Sequence, residues 1–463
     1  MSVLLRLYPW GLNLDYSPYQ TSDSIQLTVG SLGYLYTVLI IANIINVIPA
    51  IPVSRRPNIT IIGAGDVVKH RILPAILDTR LYCANQLTLV SDVIDDGLKA
   101  YLNKSGIGFH EVGKALAEDK KISDVVNFVK KRSSYAIIAT PTQSHLDYAL
   151  ALSQANITFA LEKPMVGSAA ELDIVTRCDE HLMKNGFLLS YYWLEKALPL
   201  NYFLNLIPQY RKFLCIEGTD KPLPDSNALA YLRLRLGKVK GIKIRFFEGE
   251  DLRPWSLIKE TGGFYFETLI HPITLLLNVI DKPLQLSDLQ AQWSVLKELP
   301  GKFAEESLSI DKFGASYVAI SSKETAPCQV DIKAGKFLRD KRRTLSMEFE
   351  HGALEMNLDT LSCRITPNDK ALNDISINVK TEYGGACAGQ KSNPLKYAVQ
   401  MNLFDSFIHN QGNWDCQRYD DYPQQKVVLR AMADWLKYTG GTSHFYQPVV
   451  LDEATYIKLT EEA

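Results

Sequence analysis

The sequence predicts an α/β protein built from two successive architectures: an open parallel sheet wound with helices, then an α+β domain with a large, mostly antiparallel sheet. Three observations predict it. Short all-apolar runs alternate with helical repeats from Asn58 to about residue 185. Beyond that point the runs lengthen and alternate with a period of two. The 463 residues are 46% hydrophobic and 22% charged, which suffices for a large core without a metal or disulfide staple. The expected organisation is an N-terminal hydrophobic extension at 1–57, a first domain at 58–185 and a second at 186–463.

The extension stands apart. From Ser24 to Ser54 it holds no charged residue, and the apolar run 34–53 ends just before Arg55 and Arg56. Such a run is too apolar to lie bare in water. It either anchors the protein to a membrane, with the arginines on the cytoplasmic side, or packs as a buried, oligomer-forming element. Asn43 and Asn46 on one helical face, with Pro49 and Pro52, weigh toward packing. It does not read as a signal peptide, because mostly polar residues including Asp15 and Asp23 precede it.

The first domain then reads as strand 59–62, helix 67–77, strand 86–90, helix 121–131, strand 136–139, helix 145–155 and strand 158–161. In the second, strands are expected at 242–247, 315–321 and 344–349. A helix is expected at 265–279, and two closing helices at 395–409 and 424–438.

Charge excludes one class of partner. Fifty basic and 51 acidic residues give a net charge of -1 without basic clustering, so nucleic acid is not expected to bind. The seven cysteines are scattered and never spaced C-x-x-C, which points to reduced thiols in a cytoplasmic setting and to no metal site.

Gly63-Ala64-Gly65 follows the first strand and opens a helix. Close approach to a pyrophosphate demands missing side chains, and a helix N-terminus supplies free N–H donors. The motif marks a Rossmann-type dinucleotide site, although Val68 holds the third glycine position. Asp92 stands just past the second strand, where a carboxylate accepts from both ribose hydroxyls and repels a 2′-phosphate. NAD is therefore expected over NADP. Asp95 and Asp96 are alternative ribose partners.

The segment A-T-P-T-Q-S-H-L-D-Y-A-L-A-L (139–152) leads to F-A-L-E-K-P-M (159–165), and G-G-F-Y-F-E-T-L-I-H (262–271) follows. With G-A-G-D-V-V-K-H-R-I-L-P-A-I (63–76), these resemble the Gfo/Idh/MocA family, named for glucose–fructose oxidoreductase and inositol dehydrogenase. The resemblance runs over residues 58–463. It implies that Lys163 sits beside the nicotinamide and the substrate hydroxyl, and that His271 is the acid/base. Glu267 stands where the family has aspartate and Leu269 where it often has glycine, so substrate geometry should differ. Thr140, Pro141 and Thr142 match the loop that passes the cofactor. Glu162 matches the glutamate that contacts the nicotinamide ribose.

Hydride transfer from an alcohol requires the hydroxyl to lose its proton. A histidine titrates near neutrality and can take it, while a lysine can hold the developing alkoxide or itself act as the base. Glu267 and His271 are spaced i, i+4, so on a regular helix they share a face. Tyr192 and Lys196 stand where the family starts its second domain and are expected to line the substrate pocket. Arg253, Trp255 and Lys259 are candidates for the same pocket, and two cations there would select an anionic or phosphorylated substrate. The expected function is NAD-dependent oxidation or reduction of a sugar, cyclitol or related substrate by a homo-oligomer. The alternatives are a non-catalytic regulatory protein and a non-redox enzyme that uses bound NAD transiently.

Overall fold

The computed structural model describes residues 5–7, 12–14, 57–113, 116–167, 169–204, 208–217, 223–249, 264–280, 288–296, 316–324, 326–336, 338, 341–383, 397–409, 430, 449–451, 454–455 and 458. The chain divides into two units, Met1–Arg55 and Arg56–Ala463. In the first, β1 (Leu5–Leu7) pairs antiparallel with β2 (Leu12–Leu14). The apolar run 34–53 lies outside the described residues. Among the described residues no helix is long and apolar enough to cross a membrane.

The second unit opens with six parallel strands: β3 (Ile59–Ile62), β4 (Leu87–Ser91), β5 (Gly108–Glu111), β6 (Tyr135–Ile138), β7 (Thr158–Glu162) and β8 (Gly186–Leu189). Their order is β5-β4-β3-β6-β7-β8. The chain reverses direction beside β3, and open α/β sheets bind ligands at the carboxyl ends of strands at such a switch point. Strands β3, β7 and β8 are buried throughout, as continuous apolar runs must be when helices cover both faces. The parallel sheet therefore continues past residue 185, to Leu189. β5 has no apolar run to announce it: Gly-Phe-His-Glu is largely exposed at the sheet edge. The predicted helices at 121–131 and 145–155 appear as Glu118–Arg132 and His145–Gln154.

The second sheet has ten strands among the described residues: β9 (Leu214–Ile216), β10 (Val239–Phe247), β11 (Leu289–Leu296), β12 (Tyr317–Ser322), β13 (Gln329–Gly335), β14 (Arg342–Phe349), β15 (Gly352–Asn357), β16 (Ser362–Pro367), β17 (Ile375–Val379) and β18 (Val449–Leu451). The order is β18-β11-β12-β13-β10-β14-β15-β16-β17-β9, antiparallel except for β10–β13 and β11–β18. Strict alternation of burial along β15 shows why: one face meets the core and the other faces out. The inward face of β10 carries Ile242, Ile244 and Phe246. Against Phe246 lies His271 of the helix Ile270–Val279.

The helix Ala398–His409 returns to the first sheet. Phe404 and Phe407 pack on Phe187 of β8 at 5.7 and 5.4 Å between ring centroids, and the Tyr82 hydroxyl donates to Asp405 at 2.7 Å. The predicted helix at 424–438 lies outside the described residues apart from Arg430.

Candidate active site

The two glycines of the first turn differ in their reasons. Gly63 has φ +110°, and a Cβ there would stand 2.4 Å from the Ala139 carbonyl oxygen. Contact between the ends of β3 and β6 thus demands glycine. Around Gly65 a Cβ would meet no protein atom within 4 Å. The protein itself gives no reason for that glycine, and the space fits a pyrophosphate against bare backbone. Asp92 follows β4, half-exposed, with the Lys121 ammonium 3.9 Å away. Asp95 is engaged elsewhere: it caps the helix Asp96–Ser105 by accepting from the Leu98 N–H, and it pairs with Lys69. Asp96 is fully exposed.

The loops after β6 and β7 are tied together. Both ring nitrogens of buried His145 lie 2.8 Å from carbonyl oxygens, one of Thr140 and one of Pro164. The Ser144 hydroxyl donates to Thr140 Oγ1 at 2.9 Å. Thr142 and Lys163 thereby both reach the turn Tyr265–Leu269.

There they meet Glu267. Lys163 Nζ donates to Glu267 Oε2 at 3.0 Å and to the Glu267 carbonyl at 3.3 Å, and Thr142 Oγ1 donates to Oε1 at 3.3 Å. One carboxylate thus engages both partners. Glu267 and His271 do not simply share a helical face. Residues Tyr265–Leu269 form a π-helical turn, which changes the spacing of the ordinary helix. Glu267 turns toward Lys163, while His271 lies against Tyr192 at 4.4 Å and Phe246 at 5.5 Å between ring centroids. Burial, then Lys163, Arg343, Arg71 and Lys336, push the His271 imidazole well below its usual range, so it is neutral at pH 7.

Tyr192 lies in a second π turn, Tyr191–Lys196. Lys196 does not point alongside it into an open pocket: its ammonium donates to the Leu358 carbonyl at 2.7 Å, and burial brings it down to about 7. Arg253, Trp255, Lys259 and Gly262 lie outside the described residues.

Sequence reasoning missed a cluster behind this wall. Glu248, just past β10, accepts from Arg343 at 2.8 Å and Thr268 Oγ1 at 3.1 Å, and lies 3.5 Å from the Lys336 ammonium. Arg343 also donates to Asp359 at 3.0 Å, and its guanidinium carbon stands 5.4 Å from the Tyr192 ring centroid. Burial alone would raise the Glu248 carboxyl, but Lys336 and Arg343 outweigh it and hold it at about 2. One signal was present: period two along β14 places Arg343 on the face of Leu345 and Met347. Glu162, next to Lys163 in the chain, and Tyr397 are buried, and the guanidinium carbon of half-buried Arg71 stands 5.6 Å from the Tyr397 ring centroid. Glu162 Oε2 accepts from the Lys163 N–H at 3.2 Å, while Oε1 is buried with no partner among the described residues. An orphaned carboxylate oxygen at the carboxyl end of β7 suits a ribose hydroxyl, so the residues present fit a dinucleotide.

Fold and site together define a dinucleotide-binding α/β protein. Residues 57–185 match the Gfo/Idh/MocA family model, described as oxidoreductase family, NAD-binding Rossmann fold. No curated protein matches the chain in sequence. Among solved structures, UDP-N-acetylglucosamine 3-dehydrogenase from Acidithiobacillus ferrooxidans is similar at 14% identity and TM-score 0.53, covering 84% of this chain and 98% of its own. A levoglucosan dehydrogenase in complex with NADH and levoglucosan is similar at 12% identity and TM-score 0.58, over 82% and 97%. A myo-inositol dehydrogenase-like protein from Sinorhizobium meliloti is similar at 14% identity and TM-score 0.52, over 81% and 95%. At these identities the likeness is one of fold.

Proposed function

We propose that the protein is a dehydrogenase that moves a hydride between NAD and the hydroxyl or carbonyl carbon of a sugar, cyclitol or sugar derivative. The observation that carries this reading is the Lys163–Glu267 pair at 3.0 Å, formed where β7 ends, with neutral His271 on the adjoining helix. The solved structures of similar fold that act on sugar-type substrates agree with it.

In this reading residues 58–185 hold the cofactor and 186–463 complete the substrate site. Gly65 leaves room for the pyrophosphate, and Gly63 shapes the turn. Asp92 receives the adenosine ribose, because Asp95 is already used as a helix cap. Its charge disfavours a 2′-phosphate, which selects NAD over NADP. Glu162 receives the nicotinamide ribose, and Thr140, Pro141 and Thr142 flank the nicotinamide. When bound, NAD supplies the hydride acceptor.

The chain supplies the proton chemistry. As the substrate C–H bond breaks, the hydroxyl proton passes to a ring nitrogen of His271, whose buried imidazole is neutral and ready to accept. Lys163 Nζ holds the oxygen as charge develops on it, and Glu267 Oε2 fixes that ammonium in place. In the reducing direction the same proton returns to the product oxygen. Tyr192 and Phe246 wall the imidazole from water, and Lys196 braces Tyr192 from behind. Arg253 and Lys259 are assigned to the substrate side.

A panel of sugars, cyclitols and sugar phosphates with NAD, scored by NADH absorbance, tests the reading. Net NADH also separates it from non-redox use of bound NAD. With an active substrate, Lys163→Ala and His271→Ala should each lower turnover about 10²–10⁴-fold while NAD binding stays nearly intact. Near wild-type turnover in Lys163→Ala would sink the assignment.

A further inference from the structure

Lys121 belongs to no motif, yet it stands beside the carboxylate assigned to the adenosine ribose. It is the fourth residue of the helix Glu118–Arg132. Its ammonium lies 3.9 Å from Asp92 Oδ2 and 3.6 Å from Glu118 Oε2, both longer than a hydrogen bond. Two other lysines, at the ends of β4 and β5, close on their partners. Lys69 donates to Asp95, and Lys99 stands 2.8 Å from Glu111. The Lys121 ammonium is instead held near two carboxylates without closing on either.

Stability does not explain the position. The Lys121 side chain is 16% exposed, against 53% for Asp92, and drawing in a lysine stem costs side-chain freedom. A cation in the first turn of a helix also opposes the helix dipole. An i, i+3 pair with an exposed glutamate returns little. What the position supplies is positive charge where the adenosine ribose arrives. A ribose hydroxyl that donates to Asp92 at about 2.7 Å comes within reach of a flexible lysine stem whose ammonium is already 3.9 Å from that carboxylate. A 2′-phosphate extends from the same ribose oxygen and offers the ammonium a charged acceptor.

We propose that Lys121 sets the dinucleotide preference: its ammonium offsets the Asp92 charge and receives the 2′-phosphate of NADP, so the protein binds NADP beside NAD. This rests on the reading of Asp92 as the ribose ligand. It divides the adenosine end between two elements, the loop after β4 for the free hydroxyl and the helix Glu118–Arg132 for the phosphorylated one. Asp92 repels the 2′-phosphate while Lys121 attracts it. NAD therefore stays preferred, by a smaller margin than a lone carboxylate gives. Losing one charge-assisted contact typically weakens binding by about tenfold or more.

The test is titration of NAD and NADP into the full chain by calorimetry, for wild type, Lys121→Met, Asp92→Ala and the double variant. Lys121→Met should weaken NADP about tenfold and change NAD less than about twofold, at an unchanged unfolding temperature. In the Asp92→Ala background the repulsion is gone, so NADP should bind more tightly than to wild type, and adding Lys121→Met should remove that gain. Lys121→Arg keeps the charge and should keep NADP within about threefold of wild type. Wild type that binds NAD but not NADP, unchanged NADP affinity in Lys121→Met, or an equal loss of both cofactors overturns the proposal; equal losses would mean a merely structural role. The Asp92 reading is scored separately. If Asp92→Ala keeps wild-type NAD affinity and preference, that assignment fails and the proposal falls with it. A loss of NAD in Asp92→Ala with no effect of Lys121→Met on NADP leaves Asp92 in place and removes Lys121 alone. Should Lys121→Met not fold, Lys121→Gln takes its place with the same expected losses.

Discussion

Glu248 offers a prediction that needs no substrate. Its carboxylate neutralises Lys336, whose side chain is 2% exposed, and shares Arg343, 10% exposed, with Asp359. Glu248→Gln keeps the shape and removes the charge. Uncompensated buried charge typically costs about 3–5 kcal/mol. Linkage gives a similar size: the folded carboxyl sits at about 2 against an ordinary 4.5, and each pKa unit is about 1.36 kcal/mol, so the pair arrangement contributes roughly 3 kcal/mol. A depressed folded-state pKa means that this contribution is complete above 4.5 and is lost as pH falls toward about 2. Urea unfolding of wild type and Glu248→Gln, followed by tryptophan fluorescence, should therefore differ by about 3 kcal/mol at pH 7. The gap should close as pH falls below 4.5. A difference under about 1 kcal/mol at pH 7, or a gap that stays constant into acid, would refute the reasoning. Because the Thr268 hydroxyl also donates to Glu248, the variant should loosen the turn that carries Glu267.

Three further outcomes are expected. Gly63→Ala should unfold at markedly lower temperature, since a Cβ there meets the Ala139 carbonyl at 2.4 Å, whereas Gly65→Ala should keep its unfolding temperature and lose NAD affinity; equal thermal effects would contradict the division of roles. Asp92→Ala should weaken NAD and relatively favour NADP in paired titrations, and an unchanged preference would remove Asp92 from the ribose site. Because burial and nearby cations lower the His271 imidazole well below 6.5, its base form persists in mild acid, so the acid limb of the oxidation rate should fall well under pH 6.5; a limb at or above that value would assign the proton to another group.

Much of the architecture was legible in the chain. Parallel strands covered on both faces must be apolar throughout, and a sheet with one buried face must alternate, so 59–62, 136–139 and 344–349 announce their own class. The glycine pair, Lys163 and His271 could be picked out as candidates because the proposed chemistry needs those residue types at strand and helix ends. Other parts were silent or gave conflicting signals. β5 is a polar edge strand, and Arg343, which period two places on the buried face of β14, sits in a Lys-Arg-Arg run that looks like a solvated surface.

Tertiary structure alone decided which acid serves which base. Glu267 pairs with Lys163 from 104 residues away, and Arg343 reaches Glu248 across 95. The i, i+4 spacing of Glu267 and His271 suggested a shared face, but a π turn sends them to different neighbours. Tyr397 gains its place from a left-handed backbone held by Glu195, which no local propensity encodes. The reason is physical. Periodicity and turn chemistry act over a few residues, where steric and hydrogen-bonding rules are local. Charge pairing and pKa instead depend on distance through a low-dielectric interior, and those distances exist only after the two sheets and the helix Ala398–His409 have packed.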